Sequence, residues 1–200
     1  MNKKLIFGLG TGRCGTTTLS HLLTEQESSN VSHELGGAVP FLSWEKDRPS
    51  LLRFLGIIHN RPESYVGDIS FYLLPYVSDI CEIFPSAKFV VLKRDKQQTI
   101  SSYMKKTEGR NHWMNHNGRE WRKDIWDKCY PKYKTNSKLD ALSDYYDEYY
   151  KTCDRIKNDN FFFLNTEDLN DEFSCSEMFE FCGYGEYKFI KIRANKNKGA

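Results

Sequence analysis

One stretch near the start of the chain constrains everything after it: KLIFGLGTGRCGTTTL, residues 4–19. The apolar run over 4–10 ends in glycine and reads as a short buried parallel strand. Leu19, Leu22 and Leu23 have helical spacing, so a helix is expected from Thr16 to Gln26. A glycine-rich turn between a strand and a helix aims backbone N–H groups and the positive helix end at one point, a geometry suited to phosphate. The glycines alone would fit a turn without a ligand. Arg13 and the hydroxyls of Thr16 and Thr17 supply the cation and donors that an anion site needs.

The remaining chain alternates strand and helix signals. Short strands are expected over 30–34 and 65–69, the clearest one over KFVVLK (88–93), and another over NFFFLN (160–165). Helices are expected over 50–58, over 71–84 with Pro75 in the first turn, from the Asp95 cap to about Lys106, over 138–156 and over 176–182. The segment 108–133 carries Trp113, Trp121 and Trp126 without a clean period and reads as irregular with short helices. Such alternation implies an α/β protein with a mainly parallel central sheet in a three-layer αβα arrangement, and one domain over 1–200.

Composition sets limits on function. Two hundred residues, 39% of them hydrophobic and 28% charged, are enough for an ordinary globular core. A net charge of +2 gives no general affinity for nucleic acid, so an anion site must be local. Mean hydropathy is −0.66, and no run approaches a transmembrane segment. LIFGLG is too short for a secretory signal, so a cytoplasmic location is expected. Six cysteines without an export signal read as reduced thiols, and no spacing among them suggests a metal.

Gly10 and Gly15 have the glycine spacing of the Walker A loop, yet Thr16 stands where that loop places its lysine. The cation is Arg13, two residues before Gly15. The string Arg13, Cys14, Gly15, Thr16, Thr17, with Leu19 beyond it, resembles the 5′-phosphosulfate loop of sulfotransferases that use 3′-phosphoadenosine 5′-phosphosulfate (PAPS). Lysine is the commoner residue at position 13 of that pattern. A second unit has the same likeness: after KFVVLK come Arg94, Asp95, Ser102 and Tyr103, in the order of that family's 3′-phosphate element, R-[D/N]-x6-S. Arg94 at a strand end and Ser102 two helical turns on can converge on one phosphate. FFFLNTEDL (161–169) resembles the family's late strand and turn more loosely. The resemblance implies a P-loop nucleotide-hydrolase-like fold, PAPS as donor, PAP (3′-phosphoadenosine 5′-phosphate) as product, and donor contacts from Gly12, Arg13, Cys14, Gly15, Thr16, Thr17, Arg94 and Ser102. No metal is implied.

Sulfuryl transfer to a hydroxyl needs a base on the acceptor. His33 and Glu34, at the end of the expected second strand, are the candidates. The family resemblance favours Glu34, and strand alternation would set the two on opposite faces. Asp68, at the next strand end, is a third option and also a candidate for orienting the acceptor. Relatives that act on carbohydrate often carry Lys-Thr-Pro or Lys-Ser-Pro where this chain has Gly67, Asp68 and Ile69, so the acceptor class stays open. His112, Trp113 and His116 lie where acceptor or lid segments occur in the family. Tyr145, Tyr146, Tyr149 and Tyr150 read as core. The basic tail NKNKG (195–199) is a further candidate for the 3′-phosphate. A kinase with a degenerate Walker A loop and a non-catalytic nucleotide-binding module are the competing readings, and a homo-oligomer is left open.

Overall fold

The structure is a computed structural model and describes residues 3–37 and 41–191. The strands are β1 (Lys4–Leu9), β2 (Ser29–His33), β3 (Tyr65–Ile69), β4 (Lys88–Lys93) and β5 (Phe161–Asn165). They form a five-stranded sheet in the order β2-β3-β1-β4-β5, parallel throughout. Six helices flank it: α1 (Thr16–Thr24), α2 (Arg48–His59), α3 (Val77–Ile83), α4 (Lys96–Lys106), α5 (Lys138–Ile156) and α6 (Glu172–Cys182).

The alternation of side chains along each strand builds the two faces. Leu5, Phe7 and Leu9 of β1 and Phe89 and Val91 of β4 join one apolar cluster with residues of α2, α3, α4 and α5. Ile6 of β1 and Val90 and Leu92 of β4 point the other way and pack with residues of α1 and α6. The result is the three-layer αβα arrangement that the sequence implied.

Several elements differ in their ends. β2 stops at His33, and Glu34 begins a 3₁₀ turn over Glu34–Gly36. The cause is local: Glu34 and Leu35 have φ of 49° and 47°, which no extended strand accommodates. The alternation expected for His33 and Glu34 therefore does not extend to Glu34. The helix expected over 71–84 divides into a 3₁₀ segment, Phe71–Tyr76, and α3. Pro75 lies inside that first segment, where it has no N–H to donate. α6 starts earlier than expected because the Asp171 side chain accepts from the Ser174 N–H at 2.8 Å and caps it.

In this strand order, the chain leaves β1 toward β2 on one side, and β4 is followed by β5 on the other. The crevice beyond the carboxyl ends of β1 and β4 is thus a topological switch point, the place where ligands bind in open α/β sheets. Arg13 follows β1, and Arg94 follows β4.

Candidate active site

The loop between β1 and α1 depends on backbone conformations that its glycines permit. Gly12 has φ of 85° and Gly15 of 91°. A Cβ on Gly12 would run into the Tyr103 hydroxyl, and one on Gly15 would stand 3.1 Å from both Leu169 and Thr166. Gly15 is the N-cap of α1, and no side chain caps that helix, so its first N–H groups have no side-chain partner at the cap. Arg13 is itself left-handed, with φ of 59°, and its side chain is exposed. Cys14 is wholly buried, and burial pushes its thiol up to about 11, so it packs rather than reacts.

A set of hydroxyls holds this loop from behind. Tyr103 of α4 and Tyr145 of α5 both donate to the Thr11 carbonyl, the latter at 2.9 Å. Tyr149 accepts from the Gly10 N–H at 2.9 Å and donates to the Phe71 carbonyl at 3.1 Å. Tyr150 donates to the Leu92 carbonyl at 2.7 Å, and Tyr146 to the Arg94 carbonyl. Thr166, just after β5, donates to the Cys14 carbonyl at 2.6 Å. One face of α5 thus ties together the segments that follow β1, β3 and β4. The tyrosines are core residues, as their spacing suggested, but their hydroxyls are also the scaffold of the loop.

The two cationic motifs meet. Arg13 Nε donates to Ser102 Oγ at 3.0 Å, and the Arg94 guanidinium donates to the Arg13 carbonyl at 3.0 Å. Residues 89 and 81 positions apart are therefore joined directly. Asp95 is the N-cap of α4, accepting from the Gln98 N–H at 2.8 Å. Arg94 also donates to Gln98 Oε1 at 3.2 Å. Thr16 and Thr17 open α1, and Thr16 Oγ1 lies 3.1 Å from His33 Nε2.

His33, Glu34 and Asp68 occupy the neighbouring strand ends and have three different environments. Burial pulls His33 down to about 4, with His21 adding a smaller push in the same direction, so its ring is neutral near pH 7. Glu34 is raised to about 7: burial is the main cause, the Asp68 charge adds to it, and Arg13 opposes both. Asp68 has no exposed surface. Its Oδ1 accepts from Ser32 Oγ at 2.6 Å and from the Leu35 N–H at 2.9 Å, and its Oδ2 accepts from Ser70 Oγ. Burial pushes the Asp68 carboxyl up, while these three hydrogen bonds and Arg61 pull it back.

The segment 108–133 is irregular, but it is not simply surface. Trp113 is fully buried and His112 nearly so. His112 Nδ1 lies 2.7 Å from Asp127 Oδ1, and its ring stacks on Tyr130 at 5.2 Å, which in turn stacks on Phe71 at 4.4 Å. His116 Nε2 stands 3.6 Å from the same Asp127 carboxylate. The tail 195–199 lies outside the described residues. Among the described residues, no helix is long and apolar enough to cross a membrane.

A model of the Sulfotransferase family matches residues 57–184. The chain belongs to that family. The matched region of this sulfotransferase contains Arg94, Ser102 and the α5 tyrosines, while the phosphate loop precedes it and is joined to it by the contacts above. Among solved structures, a sulfotransferase from Alicyclobacillus acidocaldarius shares the fold with a TM-score of 0.54 at 13% identity, over 92% of this chain and 81% of that one. Mouse sulfotransferase SULT7A1, solved in complex with PAP, does so with a TM-score of 0.57 at 12% identity, over 94% of this chain and 61% of that one. No curated protein matches the sequence.

Proposed function

We propose that this sulfotransferase moves a sulfuryl group from PAPS to the hydroxyl of an acceptor, in line and without a metal ion. The observation that carries the proposal is the direct junction of Arg13, Ser102 and Arg94 at the carboxyl ends of β1 and β4. A nucleoside-triphosphate loop needs a lysine after its last glycine, and Thr16 stands there. A donor with a 5′-phosphosulfate and a separate 3′-phosphate instead needs cations and hydroxyls from two strand ends, which is what this arrangement supplies. PAP as the ligand of a solved relative supports the same donor.

In this reading Arg13, the open N–H groups of α1 and the hydroxyls of Thr16 and Thr17 hold the 5′-phosphosulfate, with Gly12, Cys14 and Gly15 shaping the backbone around it. Arg94 and Ser102 take the 3′-phosphate. As the acceptor oxygen bonds to sulfur, the bond from sulfur to the bridging phosphate oxygen breaks. The charge that develops on that oxygen is met by Arg13 and the helix end. The acceptor proton passes to Glu34, and PAP leaves. Glu34 suits the role better than His33 because a base held near 7 combines a populated basic form with useful proton affinity. His33 is held near 4 and engaged with Thr16. Asp68 has no exposed surface and has both oxygens engaged.

The direct test is transfer of label from [³⁵S]PAPS to acceptors in a cell extract, with Arg13→Ala as the blank. Labelled product from the native chain and none from the variant is the expected result. An enzyme that binds PAP but labels no acceptor would be a binding module instead.

A further inference from the structure

The turn that carries Glu34 is unusual in its backbone. Two successive non-glycine residues, Glu34 and Leu35, have φ of 49° and 47°. Left-handed backbone at such residues is costly and persists only where the surroundings hold it. Two hydrogen bonds do so here. The Gly37 N–H donates to the Glu34 carbonyl at 2.9 Å, and the Leu35 N–H donates to Asp68 Oδ1 at 2.9 Å. Only the second ties the turn to the sheet.

Asp68 is held in its own place by a network that spans two strands. Ser32 of β2 and Ser70 beyond β3 both donate to its carboxylate. Arg61 clamps the base of this network: one guanidinium nitrogen donates to the Asn30 carbonyl at 2.8 Å and the Gly67 carbonyl at 2.7 Å, and the other to Ser32 Oγ at 2.7 Å. The carboxylate of Asp68 is fully buried, fully engaged and turned toward the backbone of the Glu34 turn. Such a group can set where another carboxylate sits without touching the substrate.

We infer that Asp68 is a positioning residue: through the Leu35 N–H it locks the left-handed turn that presents Glu34 beside Arg13, while Ser32, Ser70 and Arg61 hold it there. The inference rests on the reading of Glu34 as the base. Its buried charge also acts on Glu34 directly. The groups that face Glu34 are Asp68 from β3, Arg13 from the phosphate loop, Tyr72 after β3, Tyr103 from α4, and Cys129 and Tyr130 ahead of α5. Burial pushes the three phenols and the thiol up, so near neutral pH they bring no charge to Glu34, while Asp68 and Arg13 act on it in opposite directions.

The test is the pH dependence of [³⁵S]PAPS transfer in Asp68→Asn, Asp68→Ala, Glu34→Gln and the double variant Glu34→Gln/Asp68→Ala. Asparagine can still accept from the Leu35 N–H through its amide oxygen and donate to Ser70, so it keeps the turn but removes the charge. The acidic limb of its rate profile should move to lower pH, by about half a unit or more, because Glu34 then loses its proton more easily. Asp68→Ala should lose turnover by about 10²-fold in the wild-type background and by no more than about twofold in the Glu34→Gln background. PAP affinity, read by calorimetry, should stay the same in every variant. A loss in Asp68→Asn at its pH optimum as large as that in Asp68→Ala, or a full additional loss when Asp68→Ala is added to Glu34→Gln, would overturn the inference. Wild-type turnover in Glu34→Gln would overturn the base assignment itself and this inference with it. If Asp68→Ala fails to fold, Ser32→Ala and Ser70→Ala, which loosen the Asp68 carboxylate, take its place in the same cycle. Each should lower turnover with Glu34 present and by no more than about twofold in the Glu34→Gln background, and an equal loss in both backgrounds overturns the inference.

Discussion

Glu34 and Arg94 are the residues on which the chemistry turns, and each fails in its own way when changed. Glu34, raised to about 7 by burial and by Asp68, must lose its proton before it can take one from the acceptor. Turnover should therefore rise with pH through a midpoint near 7. In Glu34→Gln the rate should fall by about 10²–10⁴-fold and that limb should vanish. A limb that survives the substitution would hand the role to another group, His33 first. Arg94 is half-buried and spends one hydrogen bond on the Arg13 carbonyl and one on Gln98, so its guanidinium retains donors for a phosphate. Arg94→Ala should weaken PAP binding by about 1.5–3 kcal/mol, or ~10–100-fold, and leave a nucleotide without the 3′-phosphate nearly unaffected. Equal losses for the two ligands in calorimetry would reject the assignment of Arg94 to the 3′-phosphate.

Helix α5 shows how far an element's role extends beyond its periodicity. Its apolar spacing marks Tyr145, Tyr146, Tyr149 and Tyr150 as core, and all four are buried. What spacing could not show is that their hydroxyls reach backbone atoms of the loop and strand ends, because those partners lie 52 to 139 residues away in sequence. Tyr149→Phe leaves the buried Gly10 N–H without its acceptor, so it should cost about 1–3 kcal/mol in a urea titration and weaken PAP binding as well. Tyr133→Phe, which loses only an exposed bond to Glu148, should change neither measurably. The strands and the phosphate loop were legible because each is a local signal: an apolar run, a glycine spacing, a cation at a fixed offset. The turn at Glu34 was not, since ELGG carries no mark of left-handed backbone at its first two residues. Nor was the burial of Trp113, which depends on packing against Tyr103, Tyr130 and Tyr145.

At the scale of the molecule, the parallel order β2-β3-β1-β4-β5 brings two motifs about eighty residues apart to one crevice, and α5 and Thr166 brace that crevice from the sheet side. Everything proposed follows from what that crevice accepts. The family is established by the match over 57–184, and the solved relatives share the fold at 12–13% identity. The donor is the step that the crevice's own chemistry argues for. A ligand held only by the folded state should also stabilise it, by about 2.7 kcal/mol at a hundred times its dissociation constant. The most direct measurement is calorimetric titration of the protein with PAP, set beside ATP–Mg²⁺ under the same conditions. Saturable binding of PAP, far tighter than that of ATP–Mg²⁺, is the predicted result. Tight binding of ATP–Mg²⁺ with no binding of PAP would contradict it.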